Sequence, residues 1–280
     1  MGRKLKKVDS KEVGLDVGLM VFKYFLKTEY LHYGYFTPDM AVDVGNLKEA
    51  QENYFAMLAK DIPKDVKSIL DVGCGSGKTA EELIKKGYQV DCVSPGKILT
   101  EYALNKLGDK ITMFNSKFED VHTNKKYDMV LFSESFQYIP MDESIPKAIT
   151  MLRKGGYIMV SDFFKTDAPG RSLLGGGHNY AQWMEIRKTF PLNTLIEKDI
   201  TENTAPTIEI THHFKQQVLK PIWHDVFLLA EDRFPLLLKF VKWKYRKKLA
   251  KMETKHFTGQ NNGEAFKIYK KYMFYLFQVQ

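Results

Sequence analysis

An open α/β sheet with helices on both faces is the architecture to expect of this chain, on three observations. A glycine-rich turn, Asp71-Val72-Gly73-Cys74-Gly75-Ser76-Gly77, follows the apolar run Val66 to Leu70 and opens a helix-like segment, Lys78 to Lys86. Short apolar runs then alternate with helical patterns as far as Asp162, the pattern of a parallel sheet covered on both faces. The last stretch, Tyr272 to Val279, is too short and too β-prone for a packed helix and reads as a closing strand.

Taken in order, Gln89 to Ser94 is the second strand and Ile98 to Leu107 the helix after it. Ile111 to Phe114 is a short third strand, and Tyr127 to Phe132 a fourth that ends in Ser133-Glu134-Ser135. Met151 to Gly156 reads as a turn before a fifth strand, Tyr157 to Ser161. Thr194 to Ile200 is the strand before the last, which leaves Thr201 to Gly263 as an insertion between the two.

The spacing in the glycine turn bears on the ligand. Dinucleotide sites read G-x-G-x-x-G around a pyrophosphate, and a P-loop needs a glycine where Val72 stands. Here an acid closes the strand, which would repel phosphate but suits a ligand carrying an ammonium group. Together with Leu152-Arg153-Lys154-Gly155-Gly156 before the fifth strand, this pattern resembles the class I S-adenosylmethionine (SAM) methyltransferases. The resemblance covers roughly Asp65 to Asp162. It implies a Rossmann-like, seven-stranded, mostly parallel sheet, with an antiparallel seventh strand inserted beside the fifth. Upstream, Tyr30-Leu31-His32-Tyr33-Gly34-Tyr35-Phe36 is similar to the H-Y-G-Y-W segment of methyltransferases acting on tocopherols, sterols and other small molecules. The implied organisation is an N-terminal helical lid over 1–62, a SAM-binding core over 63–204, a helical cap over 205–262, and a last helix and strand over 263–280.

The same resemblance assigns the site. Asp71 and the backbone of Gly73, Gly75 and Gly77 would flank the methionine half of SAM, with Tyr30, Tyr33 and Ser133 near it. Ser94 stands where most relatives carry a ribose-gripping acid, Asp91 lying too early in the strand, and Lys117 where many have an adenine-binding Asp. Glu119 is then the candidate acceptor for adenine N6, with Phe118 on the adenine face. Phe132 to Ile139 looks like the N-E-S-x-x-Y-[VI] stretch of isoprenoid diphosphate C-methyltransferases, in which the Glu is the base. Glu134 takes that role here, or is an exposed loop glutamate. Tocopherol-type enzymes carry Glu-His where this chain has Gln137-Tyr138, which favours an apolar, isoprenoid-like or polyketide-like acceptor. Tyr33, Tyr35, Phe36, Glu134, Tyr138 and the cap would enclose it, with Tyr33 a catalytic candidate beside Glu134 because the resemblance implies an aromatic hydroxyl near the methionine end of SAM. His178, after the Gly175-Gly176-Gly177 run, is a further catalytic candidate that would reach the acceptor, or part of a plain flexible loop. The accepting atom stays open among carbon, oxygen and nitrogen, and the product would be S-adenosylhomocysteine (SAH).

Composition excludes several classes. Only Cys74 and Cys92 are cysteines, without metal or disulfide spacing, which points to a reducing compartment. Met1 to Lys7 is basic with no apolar h-region behind it, so no signal peptide is expected. No uncharged run reaches the roughly 18 residues of a bilayer span. A soluble, cytoplasmic protein is the expectation. The formal net charge is +8, and Lys239, Lys242, Lys244, Arg246, Lys247, Lys248, Lys251 and Lys255 are opposed only by Glu253. The plain expectation is a solvated helix with one face on the core. The alternative is peripheral contact with anionic membrane through 236–255, placing Trp243 and Tyr245 at headgroup level. No aromatic-basic RNA module accompanies it, which argues against nucleic acid. His212-His213 lack further metal ligands, and no metal is expected. Two rival readings remain: a dinucleotide oxidoreductase, opposed by the glycine spacing and by Ser94 where a ribose-gripping acid is expected, and a non-catalytic SAM-binding module, suggested by Ser94 and Lys117.

Overall fold

The computed structural model describes residues 10–170 and 172–280. The basic start, Met1 to Lys7, lies outside the described residues, so the segment read as a lid is followed from residue 10 onward.

Seven strands form one sheet in the order β3-β2-β1-β4-β5-β7-β6: β1 Ser68–Val72, β2 Gln89–Val93, β3 Met113–Phe114, β4 Tyr127–Ser133, β5 Leu152–Lys165, β6 Leu192–Asp199 and β7 Lys270–Val279. β1 to β5 pair in parallel, whereas β7 runs antiparallel to both β5 and β6. The sheet matches the expected one strand for strand. β1 and most of β4 and β5 are buried because α-helices cover both faces, so they read as unbroken apolar runs. Successive side chains go to opposite faces. Ile69, Val90, Cys92, Met129, Leu131 and Met159 pack under the helices α2 (Leu47–Lys60) and α3 (Lys78–Lys85). Leu70, Val72, Val93, Val130, Phe132 and Ile158 pack under α5 (Met141–Met151) and α6 (Tyr180–Ile186), where Trp183 is fully buried. α4 (Lys97–Leu107) follows β2.

Three expectations need correcting. β5 starts at Leu152 rather than Tyr157. Arg153 to Gly156 bulge out between the Tyr127–Leu152 and Met129–Tyr157 pairs, and the positive φ of Gly155 permits that kink. The Tyr30–Phe36 segment is not helical. After α1 (Ser10–Val21) and a single π turn the chain runs extended, as a strap laid across α2. Gln51 on α2 holds it there, donating to the carbonyls of Tyr30 and His32. The third concerns the basic helix, which does not lay a face on the core.

The insertion before β7 comprises α7 (Thr201–Phe214), a π turn (Lys215–Leu219), α8 (Lys220–Arg233), α9 (Pro235–Phe257) and α10 (Gly263–Tyr269). Thr201, Thr204, Ala205, Thr207 and Ile210 of α7 are buried. α8 has no buried residue among those described, and α9 has only Leu238. The strap meets α7 directly. Phe36 N–H donates to the Asn203 carbonyl at 2.8 Å, Asn203 Nδ2 returns a bond to Phe36 O at 2.9 Å, and Gly34 N–H donates to Thr207 Oγ1 at 3.0 Å.

Candidate functional site and family

Strand register assembles the site. Asp71 pairs with Cys92 on one side and Leu131 on the other, so β1, β2 and β4 end level. Ser133 pairs with Ser161, which sets Glu134 beside Asp162, and Phe163 pairs with Tyr272 on the antiparallel neighbour. The carboxyl ends of the parallel strands and one residue of β7 therefore converge, where open α/β sheets hold ligands.

At the end of β1, Gly73, Gly75 and Gly77 all have positive φ. At Gly73 conformation and space act together, because a Cβ would stand 2.4 Å from Ser135 Cβ. The missing side chain lets the β4 loop close on the turn, where the Ser135 hydroxyl bonds the Val72 carbonyl. Asp71 is buried, and its Oδ2 has no hydrogen-bond partner among the described residues. Burial without compensation pushes this carboxyl up to about 7. An unpaired buried carboxylate at the foot of a glycine turn needs a donor, preferably a cation. The residues present thus fit SAM, whose ammonium Asp71 would hold.

The adenosine side follows the expectations in part. Ser94 is buried at the end of β2, and Glu119 lies half-buried after β3. Asp91 is fully employed elsewhere, accepting from Thr112 N–H, Lys125 and Tyr127. Phe118 corrects its assignment to the adenine face. It is 2% exposed, edge-on to Phe132 within the core, and has no free face to offer.

Glu134 is the centre of the other half. Its φ is +55°, an uncommon conformation for a residue with a Cβ, and its own N–H is held by the Ser161 carbonyl at 2.9 Å. Two donors meet one oxygen: Tyr33 N–H reaches Oε1 at 2.7 Å and the Tyr272 hydroxyl reaches it at 2.8 Å. Burial raises its pKa to about 8 despite those two bonds, with the charge of Asp162 adding to the rise. The Tyr54 hydroxyl continues the network, 2.9 Å from the Tyr272 hydroxyl, 2.7 Å from Ser161 Oγ and 3.2 Å from Ser133 Oγ. The Tyr33 ring lies about 6 Å from those of Phe163, Phe266 and Tyr272, forming an aromatic wall. Tyr138 is 65% exposed, and its pKa is raised by partial burial and by the charges of Asp162 and Glu134. Tyr30 packs between His32 and Phe55, with Lys78 over its ring.

Two expected members are elsewhere. Phe36 belongs to a separate cluster with Leu47, Ala50 and Ile210. His178 does not reach toward the acceptor through Nε2. That nitrogen lies 3.0 Å from Phe136 O and 2.9 Å from Ile139 O, so it carries the proton and ties the glycine loop to the loop after β4.

Several residues went unseen in the sequence. Asp162 accepts from Gln137 N–H, Gln137 Nε2 and Phe163 N–H, and burial lifts its carboxyl to about 7. Gln137 Oε1 in turn receives Gly177 N–H. Lys270, buried, donates to the carbonyls of Gly175 and Gly176, and burial lowers its ammonium pKa to about 8. His32 is held between the Tyr30 and Tyr54 rings, with Nδ1 donating to Tyr33 O and Nε2 buried without a partner. Desolvation brings its pKa down to about 4, so it is neutral. The H-Y-G-Y pattern marked His32, but nothing in the sequence around Tyr272 or Lys270 separates them from other strand residues.

Comparison with known proteins agrees with this architecture. A geranyl diphosphate C-methyltransferase from Streptomyces coelicolor A3(2), in complex with magnesium, a substrate analogue and SAH, superposes with a TM-score of 0.67 at 11% identity, covering 99% of this chain and 100% of that one. A 4+2 cyclase gives 0.66 at 15% identity, covering 96% and 94%. At such identities the likeness concerns the fold. Ubiquinone biosynthesis O-methyltransferase of Vibrio vulnificus (strain YJ016) is 36% identical over 101 residues, which cover 34% of this chain and only 43% of that protein. A family profile described as a methyltransferase domain matches residues 47–213, more than half of the chain. The chain belongs to the methyltransferase domain family.

Proposed function

We propose that the protein transfers a methyl group from SAM to a small, fairly apolar acceptor, with Glu134 removing the acceptor's proton. The observation that carries this reading is the Glu134 carboxylate: half-buried just beyond β4, held by two donors on Oε1, with Oε2 accepting from no described residue. When bound, SAM supplies a methyl group on a sulfonium and leaves as the neutral thioether SAH. Asp71 would hold the ammonium of its methionine half, and the glycine turn gives the backbone close approach. Tyr33 would face the acceptor with aromatic surface, backed by the buried rings of Phe163 and Tyr272, which favours apolar groups and tolerates developing positive charge. Glu134 has its proton affinity near neutrality, where a general base works best. Ser133 and Tyr54 fix the end of β4, so Oε2 keeps its direction. The partial match to a ubiquinone-pathway O-methyltransferase and the fold shared with a geranyl diphosphate C-methyltransferase support an isoprenoid-bearing or phenolic acceptor.

Glu134→Gln tests the assignment. With labelled SAM and a panel of phenolic and isoprenoid acceptors, turnover should fall by about 10²–10⁴-fold, the usual contribution of a general base. SAH affinity should be unchanged. Turnover equal to wild type would remove Glu134 from the chemistry.

A further inference from the structure

We infer that the α8–α9 hairpin is a docking element for an anionic lipid bilayer. Its arms are antiparallel. Trp223 meets Phe257 at 6.1 Å between ring centroids, Glu231 pairs with Lys242 at 3.2 Å, and the reversal falls at Phe234. α8 alone is about 21 Å long, so the reversal stands well away from the base of the insertion. The tip exposes a set of large apolar side chains, Leu229 60%, Phe234 62%, Leu236 83%, Leu237 61% and Phe240 51%, with Glu231, Asp232, Arg233 and Lys239 also exposed around the reversal. Behind it comes a collar in which Lys242, Lys244, Arg246, Lys247 and Lys248 are all exposed, with Trp243 at 65%.

Along α9 the exposed apolar residues Leu236, Leu237 and Phe240 thus come before the densest basic run, Lys242 to Lys248. Such an order suits end-on insertion: apolar residues in the outermost one or two turns, about 5–10 Å deep, then an aromatic and cationic ring at headgroup level. A groove of about 710 Å³ lies between the arms, lined by Lys220, Trp223, His224, Lys242, Arg246 and Glu253, so cations outnumber the acid along it. Charge selects the occupant. Residues 220–257 carry ten Lys and Arg against four Asp and Glu, and the whole chain is at +8, so a second copy would be repelled from this surface. Among the described residues no helix is long and apolar enough to cross a membrane, so the contact is peripheral.

Sedimentation of the full chain with vesicles tests this. The chain should pellet with phosphatidylcholine–phosphatidylglycerol vesicles, release in high salt, and stay in solution with phosphatidylcholine alone. Leu236→Asp/Leu237→Asp and Lys247→Glu/Lys248→Glu should each weaken binding at least about tenfold, because both apolar and electrostatic terms contribute. Both pairs are exposed, so melting temperature and SAH affinity should stay at wild-type values. Failure to pellet with the anionic vesicles, or wild-type binding by either variant, would overturn the proposal. So would a wild-type dimer that the Leu236/Leu237 variant converts to monomer, since the tip would then belong to a second copy.

Discussion

At the scale of single residues, the site is governed by three acids whose pKa values desolvation raises. Asp71, Glu134 and Asp162 are all held above their usual range, chiefly by desolvation. Asp162 is bonded to three protein donors and is a positioning group for the loop after β4. Among the described residues none donates to Glu134 Oε2, and none to Asp71 Oδ2. Tyr272 tunes Glu134, because its hydrogen bond lowers a pKa that burial raises to about 8. A base must be deprotonated to act, so activity should rise with pH and be half-maximal near that value. Tyr272→Phe removes a bond that favours the carboxylate, so the inflection should move to higher pH with the plateau rate largely kept. A pH–rate profile superimposable on wild type would reduce Tyr272 to packing. The Glu-Ser pair after β4 was legible in the sequence because the motif is contiguous. Tyr272 lies 138 residues further on, and only the antiparallel pairing of β7 brings it to Glu134.

At the scale of elements, the strap Tyr30–Phe36 is the least regular piece and joins the most. It delivers Tyr33 N–H to Glu134, rests on Gln51 of α2, and bonds Asn203 and Thr207 of α7. Gly34 makes this possible, since a Cβ there would stand 2.5 Å from Ala50 Cβ on α2. Gly34→Ala must push the strap off the helix. It should cost about 1–3 kcal/mol of stability, the usual range for overpacking, and lower turnover by displacing the Tyr33 amide. A variant with wild-type melting and turnover would show that the strap does not position Glu134. The resemblance of its H-Y-G-Y pattern implied a helical lid, yet the backbone bonds go to α2 and α7 instead of to a helical ladder. Tertiary bonds of that kind leave no periodicity in the sequence. The sheet was readable because buried parallel strands appear as unbroken apolar runs. Phe118 and His178 were misplaced for a related reason, since residue type and position after a strand do not reveal which way a loop side chain turns.

At the scale of the whole molecule, the sheet sets a cation-seeking carboxylate at the end of β1 and a proton-accepting one at the end of β4. The strap and α7 close over the region between them. The insertion does two things at once: α7 packs against the strap, while α8 and α9 extend into solvent and expose apolar side chains at their reversal. Everything proposed for the chemistry depends on Asp71 meeting a ligand's ammonium. The sign of the pH effect follows from its raised pKa. Below about 7 the ligand-free carboxyl keeps its proton and offers no charge, and above it the charge is present and unpaired. The most direct measurement is calorimetric titration of SAH into the full chain at pH 6 and pH 8, beside Asp71→Asn. Saturable uptake that tightens toward pH 8 in the wild type, and is weak and insensitive to pH in the variant, is the predicted result. A well-folded wild type that takes up no SAH at either pH would contradict it.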